Sequence, residues 1–143
     1  MKTPALIAAA LAGALATAAA ASGDRLVTVV TSADPQTQLM AMVLTMQAVQ
    51  QGAETHILLC GPGGDLGLAE PPASATAPQP PRDLSPQGLM KAIMQQGATV
   101  EVCAIYLPGR GAGREALLAG VGVANPPDMA RAMMDDDARV WSF

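Results

Sequence analysis

Two stretches of the chain end in the same way. "QQGAETHILLC" (Gln50–Cys60) and "QQGATVEVC" (Gln95–Cys103) each leave a helical pattern, stop at a glycine, enter a short strand and close on a cysteine. This echo constrains the topology more than any other feature. It is a twofold reuse of an αβ unit, too short a series to be a solenoid. Alternating strands and helices imply a parallel sheet covered on both faces. In such sheets chemistry gathers at the carboxyl ends of the strands. The only two cysteines of the 143 residues are both expected there.

The other elements fall into place around the echo. "RLVTVVT" (Arg25–Thr31) is β-branched and reads as a buried strand. Asp34 caps a helix with Pro35 at its first position, and Leu39, Met42, Val43, Met46 and Val49 give it one apolar face. Gly52 ends it, and "THILLC" (Thr55–Cys60) is the second strand. Residues 61–84 are rich in Gly, Pro and Ala and read as a surface excursion, neither helix nor strand. Ser85 and Pro86 start a helix whose inner face carries Leu89, Met90, Ile93 and Met94. "TVEVCAI" is the third strand, followed by a Pro-Gly-Arg-Gly turn and a short helix over 114–119. "GVGVA" is a weak fourth strand. Asn125 and Pro126 open a last helix with Met129 and Met133, and "ARVWSF" closes the chain as a strand.

The amino terminus is not read as part of this domain. Lys2, an Ala-rich apolar run and Ala19-x-Ala21 before Ser22 have the layout of a secretory signal peptide, 1–21, with cleavage after Ala21. Residues 22–143 are then one domain in a periplasmic or secreted protein, with no membrane anchor after cleavage. A net charge of -4 without a Lys/Arg cluster excludes nucleic acid as partner. Aromatics are 2% of the chain, so Ala, Val, Leu, Ile and the nine methionines must build the core.

Several chemistries fail on spacing. His56, the only histidine, lies four residues before Cys60, roughly 13 Å away along a strand, so the two cannot chelate one ion. No metal set and no G-x-S-x-G elbow is present, and His56 reads as an ordinary strand residue. "GPGGDLG" after Cys60 lacks a P-loop lysine, and Pro71-Pro72 block the helix a phosphate would need; it reads as a flap over the cysteines. Cys103 is the candidate reactive thiol. Turn and helix amides are expected to point back at it and favour thiolate. Arg110 and Arg114 add positive charge, and Gly109 and Gly111 allow close approach to the sulfur. A buried, inert cysteine is the competing reading.

"GATVEVCAIYLPGRG" together with the terminal "ARVWSF" resembles the DsrE/DsrF-like family of sulfur-relay proteins. In that family a V-x-V-C strand ends in a cysteine followed by Arg-Gly, and the chain closes on an x-R-V-x-x-F strand. The resemblance implies a three-layer α/β/α fold with a mostly parallel sheet of about five strands. It implies a homotrimer or homohexamer, no cofactor, and a sulfur donor or acceptor protein as partner. It also implies that Cys103 carries sulfane sulfur as a persulfide. Cys60 has no role in the resemblance, and the Pro71–Pro81 stretch is unlike the family's usual connection. The alternative is a non-enzymatic, exported binding or redox-sensing module. In it Cys60 and Cys103 are structural, or pair as a disulfide if their strands are neighbours.

Overall fold

The computed structural model describes residues 24–143, so the expected signal peptide lies outside the described residues. Five strands form: β1 (Arg25–Val30), β2 (Glu54–Leu59), β3 (Thr99–Val102), β4 (Val121–Val123) and β5 (Ala138–Ser142). They build one sheet in the order β4-β3-β2-β1-β5, and every pair is parallel. The helices are α1 (Pro35–Gln50), α2 (Ala73–Thr76), α3 (Pro86–Gln95), α4 (Tyr106–Arg110) and α5 (Pro126–Met133). The α/β class and the five-stranded parallel sheet agree with the sequence reading.

Alternation along each strand sorts the residues onto two faces. Val30, Ile57, Leu59, Val100 and Val102 meet Met42 and Met46 of α1 and Met90 and Ile93 of α3 in the main core. Fully burying side chains of this size stabilises the fold by about 1.5–3 kcal/mol each. The opposite face turns Val27 and Leu58 toward Met129 of α5, with Ala124 beside them. The connections between the first four strands step along the sheet in one direction. The link from β4 to β5 runs back across it and brings α5 onto the second face, as right-handed crossovers require.

The helix boundaries follow local chemistry. Asp34 accepts the Thr37 N–H at 2.7 Å, Ser85 accepts that of Gly88 at 3.1 Å, and Asn125 that of Asp128 at 3.3 Å. A proline stands at the start of all three helices, where its missing N–H costs nothing. The buried side of α1 differs from the expected one. Gln38, Ala41, Met42, Thr45 and Met46 are buried, whereas Leu39 and Val43 are half-buried. Polar groups face inward because partners await them. The Thr45 and Thr28 hydroxyls meet at 2.9 Å, and the Gln38 amide donates to the Ser32 carbonyl at 2.8 Å.

The expectation of a surface excursion over 61–84 holds for most of 69–84, which is largely exposed apart from the buried Ala75 of the short helix α2, and is corrected at the start of the segment. Gly61–Gly67 winds as a 3-10 helix in which Gly63, Gly64, Leu66 and Gly67 are buried. A Cβ on Gly63 would collide with the Val30 carbonyl, and one on Gly64 with the Tyr106 ring, so glycine is what lets the segment lie this close. The buried Gln87 amide holds the segment by donating to the carbonyls of Leu66 and Leu68, at 3.0 and 2.8 Å. A second correction concerns the helix after β3. It occupies 106–110 instead of 114–119, where only a 3-10 turn, Arg114–Ala116, is found. Pro108 does not break α4, because the first turn's N–H groups have no helical partner anyway. Gly111, at φ 63°, ends it in the left-handed region.

Candidate functional site

β2 and β3 are neighbours, with Leu59 opposite Val102. Cys60 and Cys103 are the next residue of each strand and come side by side. The Cys103 N–H donates to the Leu59 carbonyl and the Cys60 N–H to the Val30 carbonyl, each at 2.9 Å. The Cα atoms are 5.2 Å apart and the two residues form a disulfide. That separation is ordinary for a disulfide. Both cysteines are half-buried.

Each cysteine leads into a segment, and the two segments are fastened to each other. Asp65, in the turn after Cys60, accepts the Tyr106 hydroxyl at 2.6 Å and the Arg110 guanidinium at 2.7 Å. Tyr106 and Arg110 begin and end α4, just after Cys103. The Arg110 guanidinium also lies over the Tyr106 ring, 5.5 Å from its centroid. Burial, and next the hydrogen bond to Asp65, raises the Tyr106 phenol above its ordinary pKa. This clasp joins the two loops independently of the sulfur–sulfur bond.

On the other side of the disulfide lies a cleft of about 370 Å³, lined by Leu58, Cys103, Ala104, Ile105, Ala124, Pro126, Met129, Ala130 and Met133. Its position follows from topology. The chain leaves β3 toward the main-core side, through α4, and leaves β4 toward the other side, through α5. Adjacent strands whose connections part to opposite faces open a crevice at their carboxyl ends, where α/β sheets bind ligands. Cys103 stands at that crevice and Cys60 is not among its lining residues. A larger opening, about 800 Å³, lies at the amino-terminal end of the sheet between Arg25, Gln47, Arg139 and Trp141, and holds no thiol.

The sequence-predicted site residues separate into two groups. Cys103 and Cys60 come together at the strand ends. Arg110 joins the clasp, so its charge is held by Asp65. Gly109 borders a shallow depression with Gly61, Asp65 and Tyr106, and Gly111 serves the end of α4. Arg114 is exposed at the start of its 3-10 turn. At the start of α4, the helix that in fact follows Cys103, the Tyr106 N–H donates to the Cys103 carbonyl at 2.9 Å. Asp65 and Tyr106 were not singled out by the sequence. The one signal was that GPGGDLG carries a charge in the middle of a glycine run. His56 pairs with Glu101 of β3 at 2.8 Å, a half-buried contact between neighbouring strands that suits an ordinary strand residue.

No known family profile matches the chain, and no curated protein matches it. Solved structures do. The ychN protein from E. coli superposes with a TM-score of 0.66 at 16% identity, over 85% of this chain and 99% of that one. MTH1491 from Methanobacterium thermoautotrophicum, a protein of unknown function, gives 0.61 at 14% identity, over 83% of this chain and 98% of that one. At such identities the likeness concerns the fold alone: the chain shares with both the DsrE/DsrF-like fold, a five-stranded parallel sheet between helices.

Proposed function

We propose that this protein is an exported, DsrE/DsrF-like redox module whose working part is the Cys60–Cys103 pair, cycling between disulfide and dithiol. The observation that carries the reading is the disulfide's position: half-buried at the carboxyl ends of β2 and β3, beside a cleft, and not sealed in the core. An incoming thiolate attacks the Cys103 sulfur from the cleft and forms a mixed disulfide, and the Cys60 thiolate leaves. A second thiol of the same donor then displaces Cys103, so a protein dithiol becomes a disulfide and both cysteines gain a proton. The clasp of Asp65, Tyr106 and Arg110 keeps the two loops together while the bond is open.

The test is a thiol count. Alkylation of purified, non-reduced protein is expected to find no free thiol, and brief treatment with dithiothreitol under native conditions to find two. Two free thiols before reduction, or a bond that resists dithiothreitol in the folded protein, would overturn the reading.

Sulfur carriage through Cys103 is a second reading. It is favoured by the place of Cys103 at the end of β3 in a DsrE/DsrF-like fold. It requires the dithiol first. Cys103 thiolate then takes the outer sulfur of thiosulfate and sulfite leaves. Cys60 lies close enough to attack the Cys103 sulfur next, expelling hydrosulfide and restoring the disulfide. Assembly as a homotrimer or homohexamer belongs to the same proposal. Met40 is 52% and Leu44 39% exposed on the outer side of α1, and Val140 is 44% exposed on the edge strand β5. Light scattering that finds a monomer would remove it.

A further inference from the structure

Cys60, Cys103, Met129 and Met133 belong to one cluster on the second face of the sheet. Three of them, Cys103, Met129 and Met133, line the same cleft, and Cys60 is bonded to the first. Met129 and Met133 stand four residues apart on α5, which places both on one side of that helix. Met129 is buried and Met133 half-buried. Met42, Met46 and Met90 serve differently: they fill the main core across the sheet, among Ile57, Leu59 and Ile93. The sequence alone gave no reason to separate these uses, because no Met-x-x-Met array is written in it. The fold makes the distinction by bringing α5 over the ends of β2 and β3.

We propose that the reduced form of this site binds one copper(I) ion through the sulfurs of Cys60, Cys103, Met129 and Met133. Thiolate and thioether are soft donors, and soft donors select copper(I). Harder ions are poorly served. Among the described residues no group of three or more His, Cys, Asp or Glu converges on a point, and the cleft lining holds no histidine and no carboxylate. Zinc takes thiolate, imidazole or carboxylate and does not use thioether. Leu58 and Ala124 line the cleft beside the sulfurs, and their apolar side chains offer no competing nitrogen or oxygen donor.

The proposal rests on the reading of Cys60–Cys103 as a reducible pair. A protein dithiol supplies two electrons and two protons, the sulfur–sulfur bond breaks, and the donor becomes a disulfide. Copper(I) then displaces the two thiol protons and keeps its oxidation state. Re-formation of the disulfide passes two electrons to a disulfide acceptor and removes both thiolates from the metal. Copper binding is thereby tied to the redox state of the pair.

The test uses the chain from Ser22 onward, reduced with dithiothreitol, desalted without oxygen, and titrated with copper(I) against bicinchoninate. One equivalent per chain is expected for reduced protein and none for the disulfide form. Met129→Leu and Met133→Leu keep the volume and apolar character of the cleft. Each is expected to weaken copper(I) binding by about tenfold or more through loss of a sulfur donor. X-ray absorption is expected to show only sulfur neighbours. Wild-type affinity in both methionine variants, or nitrogen or oxygen neighbours in the bound state, would overturn the copper site and leave the redox pair standing. A native disulfide that dithiothreitol cannot open would defeat both readings before copper is added.

Discussion

Opening the Cys60–Cys103 bond has a stability cost that can be worked from its place in the chain. The two cysteines are 43 residues apart in sequence. In the chain-entropy account, a cross-link closing a loop of this length removes about 13 cal/mol/K from the unfolded ensemble, or about 4 kcal/mol at 25 °C. Unfolding entropy is about 2.1 cal/mol/K per residue, so over about 120 residues that loss lowers Tm by about 16 °C. The same cycle read in reverse says that folding stabilises the disulfide by the same about 4 kcal/mol. That is about 85 mV in reduction potential relative to the unfolded chain. The reduced protein is expected to stay folded at 25 °C, because β2 still pairs with β3 and the Asp65 clasp still joins their loops. Calorimetry with and without dithiothreitol measures the first quantity. Equilibration in glutathione buffers, native and in urea, measures the second. A reduced chain already unfolded at 25 °C would make the bond a structural staple and end the redox cycle. Melting points within about 3 °C of each other would refute the loop-entropy argument itself.

Cys60→Ser is expected to let a persulfide accumulate on Cys103 after incubation with thiosulfate, whereas reduced wild type releases hydrosulfide and returns to the disulfide; intact mass distinguishes the two. Asp65→Ala is expected to cost about 1.5–3 kcal/mol in urea denaturation, chiefly for the Tyr106 hydrogen bond to a carboxylate. Arg110→Ala is expected to cost under about 1 kcal/mol, since its ion pair is partly exposed, and to leave the alkylation profile of reduced Cys103 unchanged. The raised Tyr106 pKa means that folding favours the neutral phenol, so its stabilisation is complete below about pH 10 and is lost as pH climbs past that value. Tyr106→Phe is expected to abolish this alkaline loss, and denaturation curves from pH 8 to above pH 10 would show it.

The strands were legible because β-branched runs opened just after the glycine stops at Gly52 and Gly97, and the echo of Gln50–Cys60 in Gln95–Cys103 placed both sulfurs at strand ends. It did not make β2 and β3 neighbours; strand order is a property of the whole sheet. The inner side of α1 was misread because Thr45 and Gln38 are polar and found partners in the buried Thr28 hydroxyl and the Ser32 carbonyl, which no apolar pattern can announce. The 61–67 segment escaped because its packing depends on what glycines lack: the space for Tyr106 and for the Val30 carbonyl exists only where no Cβ stands. The clasp escaped for a reason of distance. Asp65 and Tyr106 are 41 residues apart and meet only after β2 and β3 have paired. Helix α4 was missed because Pro108 reads as a breaker unless it falls in a first turn.

Helix α5 is the lone helix on its face among the described residues, and it is short. The sulfur pair belongs to the sheet, fixed by strand register and by the clasp on the far side. One wall of the cleft before that pair belongs to eight residues, Pro126–Met133, strung between β4 and β5. The sulfurs and this part of the wall that faces them are therefore carried on separate pieces of chain. Under the proposed redox function, the wall of the cleft could be rewritten at Met129, Ala130 or Met133 while the main core and the strand pairing remain as they are, and this helix would be the place where one sheet with two sulfurs acquires different clients.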